Sequence, residues 1–262
     1  MKTSRAQATC FCLINLSFFV RIKSMFGNPS RILKSTSDLT PDDIRALYDG
    51  FNSPIVEFDC GKKCAPHNPS GKPFCCDVCQ AVPAAYKSEW SYLEKSTDLW
   101  HKWRGDECKA ATSKDVAPIK ADMPKNMVLL ACLGAAQCRR DFRALSCRQF
   151  PFFPYVASDY RFIGMAYDWH FESKCWVISN LSQVTQTYRQ EFVRTYDQLF
   201  ALFQDEFEHY AYHSEIMRAE FSKRRRRFPL LHRNGKDYLV SAASERLQRI
   251  DAGSLPRFGY YR

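Results

Sequence analysis

The sequence predicts an α+β fold in which a cysteine-rich loop and strand region packs on a mainly helical later part. Three observations predict it. Apolar residues recur at helical spacing from about 182 to 222. Two short apolar runs flank Ala157-Ser158-Asp159, as a strand pair would. Five cysteines fall within the Pro- and Gly-rich stretch 52–82. The 262 residues, 45% of them hydrophobic and 15% aromatic, suffice for an apolar core, which excludes disorder as the main state. Ten glycines without a period exclude collagen-like and tandem-repeat classes.

Each element has a local reason. Thr40-Pro41-Asp42-Asp43 supplies an N-cap, a proline at the first helical position and an acidic first turn, so a helix runs to about Tyr48 and closes at Gly50. Pro83 opens an amphipathic stretch with Tyr86, Trp90 and Leu93 on one face, and Leu99, Trp100 and Trp103 follow. Met127 to Leu133 is short enough to be a strand. Phe150–Val156 and Tyr160–Tyr167 form the strand pair. Val184, Tyr188, Phe192, Tyr196, Leu199, Phe200, Phe203, Phe207, Tyr210 and Met217 mark one long helical face, broken near Asp205. Asn234-Gly235, between Leu230–Arg233 and Lys236–Val240, signals a hairpin with a type I′ turn.

Charge divides the chain. Residues 1–34 carry six Lys/Arg and no acid, residues 218–262 carry twelve Lys/Arg and four acids, and the body 35–217 has 20 against 24, a net −4. A nucleic-acid groove would put basic residues on the folded body, so nucleic acid is not the expected partner. The basic ends suit an acidic partner. No apolar run reaches the length of a membrane helix. Residues 10–20 resemble a signal peptide in outline, but Arg21 and Lys23 follow and no small-x-small site appears, so residues 1–24 read as a surplus leader with Met25 an alternative start. Three segments are expected: a basic leader 1–34, a cysteine-cluster domain 35–222 (cluster region 55–180, long helix about 182–222), and a basic C-terminal extension 223–262 carrying the hairpin.

The chemistry lies in the twelve cysteines. Cys60-x3-Cys64-x10-Cys75-Cys76-x2-Cys79 is followed by Cys132-x5-Cys138-x8-Cys147, which runs into Arg148-Gln149-Phe150-Pro151, and Cys175 stands apart. Soft thiolates bind zinc or iron strongly, and a tetrahedral site draws four of them from close-set loops. The competing account is a disulfide framework, which suits small secreted chains without a core. Nine candidate metal ligands result: Cys60, Cys64, Cys75, Cys76, Cys79, Cys132, Cys138, Cys147 and Cys175. They exceed the four of one site, so two sites, or one cluster with bystanders, are expected. Cys10 and Cys12 belong to the leader, and Cys108 reads as a free thiol.

This order of cysteines, closing on Cys147-Arg148-x-Phe150-Pro151, resembles the YkgJ-type cysteine-cluster family, also called the CxxCxxCC or zinc- or iron-chelating domain, which includes flagellin lysine N-methylase-like proteins. The resemblance covers roughly residues 55–180, with ten residues between Cys64 and the Cys75-Cys76 pair and an additional Cys79 as departures. It implies a metal-centred region holding zinc or an iron–sulfur cluster. It also admits a cluster-dependent protein lysine N-methylase, which would need S-adenosylmethionine and a protein substrate. The chain has no Gly-x-Gly, so a Rossmann route to that cofactor is absent. A zinc-stapled interaction module using the basic ends is the remaining alternative. Thiolate ligands point to the cytoplasm.

Glu206, His209 and His213 share a helix face, but a di-iron site needs a second such set, so a packed or solvated face is the simpler account. His67 is placed to replace a cysteine ligand, and His232 is the first ligand to test in the last stretch. Arg148 is expected either to offset thiolate charge or to make an ordinary ion pair. Arg224–Arg227 reads as cations at a helix end.

Overall fold

Thr40 caps the first helix through a reciprocal box. Asp43 N donates to its hydroxyl at 3.2 Å, and Thr40 N donates to the Asp43 carboxylate at 2.9 Å. The helix, α1 (Pro41–Gly50), buries Ile44, Leu47 and Tyr48. The structure, a computed structural model, describes residues 9–10, 35–108, 113–121 and 123–262. The expectations for Cys12 and Met25 lie outside them.

The first half builds a small sheet around the cysteine loop. Strand β1 (Thr9–Cys10) pairs in parallel with β2 (Ala81–Val82), and α2 (Gly61–Cys64) lies within the loop. There follow β3 (Ala84–Tyr86), α3 (Lys87–Ser96), β4 (Trp100–Lys102), α4 (Ser113–Ala121) and β5 (Met127–Cys132). β5 is central, with β3 and β4 antiparallel on either side. The amphipathic stretch after Pro83 therefore turns helical only at Lys87. Pairing of Ala84, Ala85 and Tyr86 with Leu129, Val128 and Met127 overrides the helical pattern there.

The second half is a five-stranded antiparallel sheet with two helices. After α5 (Leu145–Gln149) come β6 (Phe152–Val156) and β7 (Phe162–Tyr167), the expected strand pair. Helices α6 (Gln186–Leu202) and α7 (Gln204–Lys223) follow, then β8 (Arg227–His232), β9 (Asp237–Ser241) and β10 (Leu247–Arg249). The order is β10-β9-β8-β7-β6. On α6, Tyr188, Phe192, Tyr196 and Leu199 are buried at steps of three and four, and α7 buries Tyr210, Ser214, Met217 and Phe221 likewise. The expected break falls at Phe203, which is extended (φ −124°, ψ 101°), just before Asp205. Ser214 then ties helix to sheet, accepting from Val156 N at 2.9 Å and donating to Tyr210 O at 2.7 Å.

Residues 223–262 join the fold that precedes them. β8 pairs with β7 through Gly164↔His232 and Met165↔Leu231, so the hairpin supplies two of the five strands of the larger sheet. Only glycine fits at 164: a Cβ there would stand 2.4 Å from Leu231 O. The hairpin turn also differs from expectation. His232 N donates to Lys236 O at 2.9 Å, and within the turn Gly235 alone has positive φ (+78°), which is a three-residue loop and not type I′. The arginine run is partly neutralised inside the fold. Arg226 clasps Glu172 at 3.1 and 3.2 Å, and Arg224 lies 3.5 Å from the same carboxylate. Among the described residues no helix is long and apolar enough to cross a membrane.

Candidate metal centre

The cysteine loop is held by its own polar residues. Asp77 accepts from Asn68 Nδ2 (3.0 Å), Ser70 Oγ (2.7 Å) and Cys79 N (3.0 Å). Burial works to raise its carboxyl, and these bonds outweigh it, holding Asp77 below the usual carboxylate range. Gly61 lets the turn of α2 close on Pro73, whose Cγ would stand 2.8 Å from any Cβ at 61. Cys60 and Cys64 therefore flank one helical turn, and a 3-10 turn over Phe74–Cys76, anchored by buried Phe74, presents Cys75 and Cys76. Their Sγ atoms are 3.8 Å apart.

Three other segments bring the remaining thiols. Cys132 ends β5 opposite Trp100, and Cys138 follows a 3-10 turn opened by Gly134 (φ +99°). Cys147 lies in α5, and Cys175 N is held by Phe171 O at 2.8 Å. Fold topology makes these neighbours although the sequence separates them by up to 115 positions (Cys60 to Cys175). Burial, then Cys132 and Cys76, pushes the Cys147 thiol well up. Burial, then Cys60, pushes Cys175 up, with Cys64 adding to it. Burial, then Cys64 and Asp59, pushes Cys60 up to about 11. Cys64 and Cys132 are raised mainly by burial. The adjacent pair splits: their mutual hydrogen bond raises Cys75 and lowers Cys76. Eight of the nine predicted ligands are free thiols in one electrostatic neighbourhood.

The ninth is diverted. Cys79 is disulfide-bonded to Cys108, with Cα atoms 5.4 Å apart, so Cys79 is no ligand here and Cys108 is no free thiol. The bond ties the cysteine loop to the segment after β4.

Arg148 does not face the thiols, and it makes no ion pair either. Its buried guanidinium donates to the carbonyls of Tyr48 (3.1 Å), Phe51 (2.5 Å), Arg140 (3.0 Å), Asp141 (2.9 Å) and Arg143 (2.8 Å) and stacks on the Tyr48 ring at 4.1 Å. It is a scaffold for the loops around Cys138 and Cys147. The cation at the thiols is Arg143, which the sequence reading missed. Its Nε donates to Cys138 Sγ at 3.1 Å. Burial works against its charge, but Cys138, Cys147 and Cys76 hold it above its ordinary value.

The histidine candidates are used elsewhere. His213 is wedged between Trp169 (5.3 Å, stacked) and Phe153 (4.3 Å, edge-on), and burial holds it down to about 3. Burial also lowers His209 and raises Glu206 to about 7, with Tyr86 hydrogen-bonded to that carboxyl. This is the packed face, as the simpler account had it. His67 stacks on Tyr260, and His232 Nδ1 accepts from Asn234 N at 3.1 Å.

The donor set fits a thiophilic metal or cluster in its chemistry. Two sulfurs about 2.3 Å from one zinc at tetrahedral angles stand about 3.8 Å apart, which matches the Cys75–Cys76 spacing. Ser146 Oγ, beside Cys147, is buried with no hydrogen-bond partner, a donor without an acceptor next to a thiol. The arrangement is not that of a closed site: among the described residues no group of three or more His, Cys, Asp or Glu side chains is set to hold a metal ion. No protein-family model, curated protein or solved structure matches the chain.

Proposed function

We propose that this protein binds metal through cysteine thiolates, as zinc or as an iron–sulfur cluster, in keeping with its YkgJ-type resemblance. The observation that carries the reading is the convergence of eight unbridged cysteines from four segments, together with Arg143 on Cys138. Cys64 is buried, Cys138 is exposed and the other six are half-buried, so most of these thiols pack on the core while keeping an edge open to a ligand. Eight thiols are enough for two four-thiolate sites, or for one site with bystanders.

Ligation asks the chain for two things. The thiols must move in from their present positions and lose their protons, which burial now retains. Arg143 offsets part of the negative charge that results, and Arg148 fixes the loops on which Cys138 and Cys147 ride. Zinc would staple these segments, and an iron–sulfur cluster would add electron transfer. Free thiols of this number suit a reducing compartment such as the cytoplasm, where the Cys79–Cys108 bond would be open to reduction.

Substitution tests the ligand assignment. Cys76→Ser and Cys147→Ser should each lower metal content and thermal stability, whereas Cys108→Ser should leave metal content unchanged. Equal metal content in all three variants and the parent protein would remove the assignment.

A further inference from the structure

Residues 258–262 are fastened on one side to residues 173–179 and on the other to His67 of the cysteine loop. Phe258 is buried and anchors the segment: its N–H donates to Ser179 Oγ at 2.8 Å, and its ring lies 6.0 Å from that of Tyr167. Gly259 follows at φ +53° with its Cα against Ser173, where a Cβ would stand 2.3 Å from Ser173 O. Only glycine can make that approach. Tyr261 then donates its hydroxyl to Lys174 O at 2.9 Å. Apart from the ring contact to Tyr167, these contacts are to residues 173–179, the stretch that contains Cys175.

The second fastening is to the other thiol segment. Tyr260 stacks flat on His67, with centroids 4.5 Å apart and planes at 4°, and Tyr261 meets the same imidazole edge-on at 5.5 Å. His67 lies three residues beyond Cys64, which is buried. Tyr261 thus spans from Lys174, next to Cys175, to His67, three residues beyond Cys64, and burial, then Cys64 and Cys175, push its hydroxyl up. Tyr260 is 59% exposed, so the stack on His67 is the part of the fastening that faces solvent.

We propose that residues 259–262 are a cover for the Cys64 and Cys175 side of the thiol centre. Tyr261 is the positioning residue that keeps solvent and thiol reagents from Cys64 and Cys175, and the exposed His67–Tyr260 stack is the clasp by which the cover opens. As a gate for metal entry the cover rests on the proposed metal-binding function. As a shield for thiols it stands without it.

The test is pulse labelling of the reduced full chain with iodoacetamide, read cysteine by cysteine by mass spectrometry. Deletion of residues 259–262 removes the cover and leaves Phe258 in the core. Gly259→Val keeps the length and drives the segment off Ser173. Both should label Cys64 and Cys175 on the order of tenfold faster, the loss of about 1.4 kcal/mol of local protection, while exposed Cys138 keeps its rate. Tyr261→Phe, which loses only the bond to Lys174, should fall between. Unchanged rates at Cys64 and Cys175 in both opened variants would overturn the proposal, and so would an equal rise at all eight thiols, which reports a loosened fold. Failure of the metal-binding function reads differently: no variant takes up zinc, yet the difference in labelling remains.

Discussion

Arg143 and Cys138 are joined by a hydrogen bond of 3.1 Å from guanidinium Nε to thiol Sγ, five residues apart on the loop between β5 and α5. The pair places one positive charge where Cys76, Cys138 and Cys147 would gather negative charge on ligation. A charge-assisted hydrogen bond is worth about 1.5–3 kcal/mol, and the exposure of Cys138 puts this one at the lower end. Arg143→Gln should therefore weaken zinc binding by about tenfold. Arg143→Lys should recover part of that loss. Chelator competition measures both.

Arg148 should behave in the opposite way, altering the fold and not only the site. Its guanidinium serves five backbone carbonyls, two on the α1 side and three on the loop 140–143. Each buried acceptor left without a donor costs about 1–3 kcal/mol, so Arg148→Ala should cost at least about 3 kcal/mol of stability in urea. A metal-free preparation should lose as much as a loaded one.

The buried thiols give the reduced, metal-free protein a pH dependence with a definite sign. Cys60 titrates near 9.0 when unfolded and at about 11 in the fold, where burial opposes the thiolate. Between these values the unfolded chain has released a proton that the folded chain retains, so stability is complete below pH 9 and falls as pH rises toward 11. A two-unit shift corresponds to roughly 2–3 kcal/mol. Cys60→Ser should flatten that part of the curve. Thermal unfolding under strong reductant from pH 8 to 11 measures the difference.

Cys79 and Cys108 should be chemically distinct from the other eight described cysteines outside β1. Alkylation without reductant, followed by digestion, should yield one linked Cys79–Cys108 peptide and, between Cys60 and Cys175, eight alkylated thiols. The bond spans 29 residues, for which chain entropy gives about 3–4 kcal/mol of stabilisation. The double variant Cys79→Ser/Cys108→Ser should lose up to that amount and keep its metal.

What could be read from the sequence divides along the range of the interactions. The capping box of Thr40 and Asp43, the strand pair around 157–161 and the interrupted helical face ending at Lys223 all rest on signals within a few residues. That Ala84–Tyr86 opens the amphipathic stretch as a strand is not legible locally, because its partner strand begins about forty residues later. The place of β8 beside β7 was hidden for the same reason: the hairpin announces itself, its neighbour does not. At the site, residue chemistry singled out the cysteines, yet no spacing could pair Cys79 with Cys108. Arg148 drew notice by adjacency to Cys147, but a helical turn carries neighbours apart. Arg143, on the loop between Cys138 and Cys147, reaches back to the sulfur. The one available hint was its position between two cysteines.

The most direct test of the central claim is elemental and acid-labile-sulfide analysis of the full chain purified anaerobically, beside its absorption spectrum. Metal binding through these thiols predicts up to two equivalents of zinc in a colourless protein, or iron with sulfide in a brown one, and a fall in titratable thiols that a chelator reverses. A folded protein whose eight unbridged thiols from Cys60 to Cys175 all titrate freely, with no metal and no uptake of added zinc or reconstituted iron–sulfur cluster, would contradict it.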